Sequence, residues 1–427
     1  MTIRLPSFRS ARGYDRRVWM LFYGRIISSL GFSIVMPFLS IYLHRELGIP
    51  MTVVGLVLLI SAVVGALGQI LGGELADIIG RKKIMVIAMA ARCLMFTLLA
   101  YVISGGADLV VIGAMVCLSS LAGSFFEPAS SALIADVVEP KKRLEAYGLL
   151  RIGGNLGWTL GPLLGGLLVM VSYPFLFLIS ALATGTVSIM VFLFVGESIS
   201  AGSKRERFSL KDMGRMGKDH RFLAFSFISI FLFMMFGQMA STYAVFSTDI
   251  IGITETEVGY LYAINGLMVV LIQFPISRMI SHQRMTRVMA FGSLLYAIGY
   301  GIVGLSPTIG LSFPSWLFSP GFMYLALCMF VVTMGEMIVS PSSTALVAKM
   351  SPEKERGRYQ GMYGLVSSFG FSAGPFFGGL LYDNFLGDPV IMWAGIGCFG
   401  LFAALGFLAL GRAIPERTDR VDEADPV

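Results

Sequence analysis

The chain has 427 residues, 56% of them hydrophobic and only 14% charged, with a mean hydropathy of +0.79. A soluble domain carries about 25% charged residues; here the charges form short clusters between apolar runs of about 20 residues or more, each able to cross a roughly 30 Å hydrocarbon core. The net charge of +6 does not mark a nucleic-acid binder, because the basic residues alternate from loop to loop and build no single patch.

The amino-terminal stretch holds Arg4, Arg9, Arg12, Arg16 and Arg17 and leads into an apolar run from about Val18. That run is too long for the h-region of a cleaved signal, so it is expected to be the first membrane helix, 17–43. Helices are expected next at 51–78, 83–104, 108–138, 145–171 and 173–197, completing an amino-terminal half over 1–197. A polar linker over 198–220 is expected to be cytoplasmic. A carboxy-terminal half over 221–427 then places helices at 221–248, 256–281, 285–306, 320–348, 357–384 and 389–412 and ends in a short tail. Between the ninth and tenth helices, 307–319 is rich in Pro and Ser and holds Trp316 and Phe318; it reads as an external loop dipping into the interface, where aromatic rings settle. Cys93, Cys117, Cys328 and Cys398 fall inside apolar runs, which implies core positions and no exported disulfide framework.

Of the 32 Lys and Arg residues, 28 lie at the termini or in one alternating set of loops, Arg45 lies in the other set, and three lie inside helices. The second set is mostly acidic: Glu46, Asp108, Asp249, Glu255, Glu257, Asp383 and Asp388. The positive-inside rule puts both termini and the central linker in the cytoplasm, which requires an even number of crossings.

The two halves repeat. A shift of 213 positions lays Pro128 on Pro341, Arg143 on Arg356, Gly157 on Gly370, Gly161-Pro162 on Gly374-Pro375, and Gly165-Gly166 on Gly378-Gly379; a shift of 204 lays Gln69 on Gln273. The fold class expected is therefore an all-α integral membrane protein, twelve transmembrane helices in two pseudo-symmetric six-helix bundles. In such parallel repeats a substrate site lies near the bilayer midplane between the halves.

Between the second and third helices stands Gly73-Glu74-Leu75-Ala76-Asp77-Ile78-Ile79-Gly80-Arg81-Lys82-Lys83. It resembles the G-x-x-x-D-x-x-G-R-K/R loop signature of the major facilitator superfamily. The resemblance implies a gating latch in which Asp77 binds a basic partner or a helix amino terminus in one conformation only. Asp136, near Lys141, matches a further acid of that charge network. Ile78 departs from relatives that carry a basic residue there, and the second-half loop from Ser277 to Arg287 has lost the pattern. In the fifth helix, Gly157, Gly161, Pro162, Gly165 and Gly166 resemble the signature linked in the same superfamily to proton-driven exporters, although the copy in the eleventh helix makes plain glycine-mediated packing an open alternative. The resemblance spans about residues 15–412 and points to the twelve-helix drug:proton antiporter group. The arginine that many such exporters carry in the outer half of the fourth helix is absent from Val116 to Gly123.

Ionisable side chains inside membrane helices are costly unless paired or hydrated, so each is a functional candidate. Arg25, Arg92 and Arg151 lie eight, nine and eight residues beyond Arg17, Lys83 and Arg143, hence about 12–14 Å above the basic belt. Glu127 and Glu336 lie 14 and 13 residues before Lys141 and Lys349, roughly 20 Å above it. Glu127, beside Pro128 and Phe125-Phe126, reads as a carboxyl in a dry site. It is the expected coupling residue ahead of Glu336, with Arg25 and Arg151 as partners; Arg92 reads as a snorkelling or intradomain-paired side chain. In the family fold the seventh helix lines the cavity, which makes Met235, Gln238 and Met239 candidates for an adaptable surface.

The expected function is secondary active transport, proton-coupled efflux of hydrophobic or cationic small molecules; a transporter of a specific metabolite, sugar or lipid on the same fold is the alternative. No enzyme, cofactor or metal is indicated: HExxH and Walker motifs are absent, and His44, His220 and His282 sit near loops. The partners expected are a small-molecule substrate, protons and the lipid bilayer, with a monomer in the cell membrane.

Overall fold

A computed structural model describes residues 14–139, 142–198, 219–306, 318–352 and 355–420. These residues fold into helices without a strand. Most of the linker over 198–220 and of the loop over 307–319 lies outside the described residues.

Among the described residues twelve long helices follow in chain order. They are α1 (Arg16–Glu46), α2 (Met51–Ile79), α3 (Arg81–Ser104), α4 (Leu109–Val137), α5 (Arg143–Leu168), α6 (Tyr173–Phe194), α7 (His220–Asp249), α8 (Glu255–Ile280), α9 (Met285–Val303), α10 (Pro320–Met350), α11 (Arg356–Phe385) and α12 (Pro389–Ala413). All but α5 are long and apolar enough to cross a membrane. At 26 residues, α5 is about 39 Å long, enough to cross the same core; Arg151, Asn155 and its many glycines reduce its apolarity. Outward-facing side chains such as Leu182, Ile189, Phe192 and Leu193 are exposed and apolar, a surface that suits lipid and not water.

Three of the helices are broken. Proline lacks an N–H and crowds the carbonyl four residues back. Pro37 does this to Ser33, where the first segment of α1 ends, and Pro128 does it to Ser124, where α4 breaks before Phe126. The break in α7, at Ala240–Ser241, has another cause: the Tyr262 hydroxyl donates to the Met239 carbonyl and the Ser40 hydroxyl to the Ala240 carbonyl, drawing both out of the helical ladder. Pro341 leaves α10 continuous. The Met337 carbonyl that it frees accepts from Gln273 Nε2 at 2.9 Å, so the lost bond is replaced from a neighbour.

Two compact units result, Met1–Val35 with Val63–Arg205, and Met36–Ala62 with Glu206–Val427. In the first, α1 packs on α5 and α3 packs on α4 and α6. In the second, α7 packs on α11 and α9 packs on α10 and α12, the same pairings one repeat later. The second unit also includes the outer part of α1 and the start of α2, where both oxygens of Asp383 accept the amides of Met51 and Thr52 (2.9 and 2.8 Å) and cap the helix dipole.

Candidate functional site

The glycine motif of α5 lies along α1. Gly157 faces the Ile26 carbonyl and Leu30 amide, Gly161 faces the Ser33 hydroxyl, and a Cβ on either would overlap those atoms. Ser29 and Ser33 donate to the carbonyls of Gly154 and Gly157 at 2.7 and 2.9 Å. In the second unit Gly370 and Gly374 meet the carbonyls of Ile230 and Met234 on α7 in the same way. Gly165 and Gly166 are buried on the same helix, and Pro162 lies inside it.

Next to this seam sits an ion pair. Arg25 Nη2 on α1 lies 3.2 Å from Glu127 Oε2 on α4, and its guanidinium rests on Gly154 of α5. The break before Phe126 places Glu127 in the first turn of a new helical segment. The two side chains keep 31% and 53% of their surface exposed. This corrects the expectation of a dry site at Glu127. Arg25 and Glu127 meet as expected, but the pair is open to its surroundings. Arg151 is exposed and is not brought to the pair.

Arg92 is buried, 7% exposed, which sets aside the snorkelling alternative and leaves that of a side chain paired within its unit. Its guanidinium lies 4.7 and 5.3 Å from the ring centres of Phe32 and Phe96 and against Gly123, where a Cβ would overlap it. The cation is thus held on aromatic faces within the unit.

The drier carboxyl is Glu336, within α10 in the second unit. Its Oε2 accepts from Asn265 Nδ2 at 2.8 Å, and the same amide reaches Thr333 Oγ1 at 3.0 Å. Asn265 and Glu336 lie 71 residues apart, so no local pattern joins them. Of the α7 candidates, Met235 and Gln238 are fully buried, which corrects their placement on a cavity surface. Gln238 donates to the carbonyls of Met234 and Gly374 (3.1 and 2.8 Å), so it fastens α7 to α11. Met239 is partly exposed and offers its carbonyl to Tyr262.

The basic loop between α2 and α3 is organised around Arg81, which is only 1% exposed. Its Nη2 donates to Asp77 Oδ1 at 2.8 Å, and its Nε lies 3.0 Å from Asp136 Oδ2 without the alignment of a hydrogen bond. Asp77 therefore pairs inside its own loop. The amino end of α3 is taken by Glu197, whose Oε1 accepts the Arg81 amide at 2.9 Å and the Lys82 amide at 3.4 Å. Gly73 sits near Pro128. Glu197 was not singled out in the sequence; its signal is an acid closing the apolar run of α6 on the basic side. The second-half loop that lost the pattern keeps this joint. Asp419, fully buried, accepts the Thr286 amide and hydroxyl (2.8 and 2.6 Å) and pairs with Arg284 Nε at 2.8 Å.

Among the described residues no cluster of His, Cys, Asp or Glu could hold a metal ion.

The family model described as Major Facilitator Superfamily matches residues 21–317 and 227–426. A Multidrug resistance protein MdtH of Yersinia enterocolitica is 28% identical over 397 residues, covering 91% of this chain and 92% of the relative. A Na(+), Li(+), K(+)/H(+) antiporter of Planococcus maritimus is 27% identical over 434 residues, covering 93% and 96%. A crystal structure of a POT family transporter in complex with a thioalcohol-conjugated peptide superposes with a TM-score of 0.73 at 14% identity, covering 94% of this chain and 97% of that one, a likeness of fold.

Proposed function

The chain belongs to the Major Facilitator Superfamily, and on that premise we propose that this membrane transporter is a proton-coupled exporter of hydrophobic or cationic small molecules, acting as a monomer by alternating access with both termini in the cytoplasm. One observation carries the reading: the exposed ion pair of Arg25 and Glu127. A carboxylate held by one cation at a half-exposed site can exchange that partner for a proton or for a cationic substrate, because an exposed pair is weakly held. A proton on Glu127 releases Arg25; a cationic substrate that takes the carboxylate must displace the proton. Competition for one carboxylate ties substrate efflux to proton entry, and no second energy source is required. The relative that bears the name of a multidrug resistance protein and the exporter-type glycines of α5 support export of organic compounds.

A second reading is exchange of monovalent metal cations for protons, favoured by the relative named for that activity over 93% of this chain. The same carboxylate would then take the metal ion.

The test uses the purified protein in proteoliposomes with a trapped pH dye. Lipophilic cations on one side and Na+, K+ or Li+ on the other panel decide the substrate class by which of them moves protons. Glu127→Gln is expected to weaken the binding of cationic compounds and to lose proton-driven accumulation by roughly 100-fold, the scale of a positioned proton-transfer group. Accumulation at the wild-type rate in that variant overturns the assignment.

A further inference from the structure

The outer ends of α1 and α2 belong by sequence to the first repeat, yet Met36–Ala62 packs as part of the second unit. Two close backbone contacts hold them there. Gly55 of α2 lies on the Pro375 carbonyl of α11, and Gly379 of α11 lies on the Met51 carbonyl, with no room for a Cβ on either glycine. The Asp383 cap on Met51 and Thr52 joins the same clasp. So does the pair of Arg45 Nη1 with Glu255 Oε1 of α8 at 3.2 Å.

One side chain in the clasp is a histidine, the residue whose charge ordinarily changes between about pH 5 and 8. His44, in the last turn of α1, sets its ring edge-to-face against Tyr382 of α11 at 5.3 Å and 83°. Its Nδ1 lies 2.8 Å from the Ile49 carbonyl. A carbonyl only accepts, so Nδ1 carries a hydrogen and the neutral ring must leave Nε2 bare. Nε2 lies 3.7 Å from Asp249 Oδ2 of α7, the same oxygen that accepts the Tyr382 hydroxyl at 2.6 Å. A bare nitrogen facing a carboxylate gains nothing from it. A second proton, on Nε2, gives that carboxylate a donor and an opposite charge.

The other charged groups around the ring are directed elsewhere. Arg45 on the same helix pairs with Glu255 of α8, Asp383 of α11 caps α2, and Glu46 is exposed at the end of α1. Asp249 is the acid that the ring faces. The His44 and Asp249 side chains keep 19% and 32% of their surface exposed, so protons from the adjoining solution reach them.

We propose that His44 is an external pH sensor. Protonated, it ties the outer end of α1 to α7 and α11 through Asp249 and holds the outer face shut; neutral, it leaves the clasp to the remaining contacts. The proposal rests on the reading of the protein as an alternating-access transporter with its termini in the cytoplasm. The sensing proton stays on His44 and never crosses the membrane, which separates this device from Glu127. The shut arrangement binds that proton better than an open one, because there Nε2 faces Asp249. The shut share therefore rises as pH falls through the range in which imidazole titrates. Acid outside acts as a brake on opening.

The test uses the full chain in nanodiscs, with the four native cysteines replaced and spin labels at Ser104 of the first unit and Gly387 of the second. Electron spin resonance then reads the outer ends as a distance distribution. Glu127→Gln is present throughout, so that the coupling carboxylate adds no pH dependence. Lowering the pH from about 8 to about 5.5 is expected to raise the ratio of shut to open molecules at least about fivefold, the lower end of couplings between two sites. His44→Gln, whose amide donates without titrating, is expected to flatten the response. Asp249→Asn, which removes the charge and keeps an acceptor for Tyr382, is expected to flatten it as well. A ratio that does not move with pH, or a response that survives in either variant, overturns the proposal. A melting curve confirms that each variant is folded, and either one alone decides the matter. The readout needs no transported compound, so a protein that moves no protons in the dye assay removes the coupling reading and leaves this result unaffected.

Discussion

At Gly80 the backbone takes φ +116° and ψ 144°, a region that side chains other than hydrogen rarely enter. The Glu197 carboxyl occupies the space a Cβ would need. Gly80→Ala meets both obstacles and is expected to cost about 1–3 kcal/mol, read as a lower melting temperature in detergent. Gly106→Ala is the reference: its φ is +68° with nothing within 4 Å, and it should cost about 1 kcal/mol. Asp77→Asn is a different kind of change. Asp77 is half exposed and Arg81 keeps Asp136, so the variant should melt like the wild type while transport slows; wild-type turnover would reduce the pair to a plain turn. Gly80, Arg81 and Asp77 were legible from the loop signature that they resemble, and Asp136 from the charge network that the resemblance implies. Glu197 was not, because it reaches the joint from 116 residues away and no local pattern connects it to Arg81. A separation of 71 residues hid Asn265 from Glu336 in the same way. Dryness at Glu127 was misjudged because neighbouring aromatics in sequence do not say which way a side chain points once the helix breaks.

Helix positions were read to within a few residues, since the length of an apolar run is fixed by the bilayer it must cross. The breaks were not. Pro37, Pro128 and Pro341 look alike in the sequence, yet the first two end a helical segment and the third does not. What separates Pro341 is the donor that Gln273 supplies to the freed Met337 carbonyl, a tertiary fact. Gln273→Leu should therefore cost about 1–3 kcal/mol by leaving that carbonyl unsatisfied, checked by thermal unfolding beside the Gln273→Glu variant, which leaves one oxygen facing the carbonyl and should fare no better. The repeat explains why α5 and α11 both line small residues against their partners: the packing of α1 on α5 and of α7 on α11 is one solution used twice.

Across the whole molecule, the sidedness inferred from charge is testable without reference to transport. In a background without the four native cysteines, cysteines at Lys82 and Glu139 should react with an impermeant thiol reagent only from the cytoplasm, and cysteines at Thr254 and Asp388 only from outside. Labelling of one site from both sides rejects the assignment. The second unit carries its own stability test. Asp419→Ala strips the cap from α9 and leaves Arg284 unpaired beside a buried site, an expected loss of about 2–4 kcal/mol that should appear as early melting; Glu197→Ala should do the same in the first unit.

The two acids that close these equivalent joints differ in when they arrive. Glu197 follows α6 directly, so the amino end of α3 can be closed before any of the second unit is made. Asp419 follows α12, and until it emerges from the ribosome the start of α9 has no cap and Arg284 no counter-charge. A nascent chain therefore spends the synthesis of α9, α10, α11 and α12 with one finished bundle and one ajar, and the membrane proteases that survey unfinished proteins would find their opening at the loop before Met285.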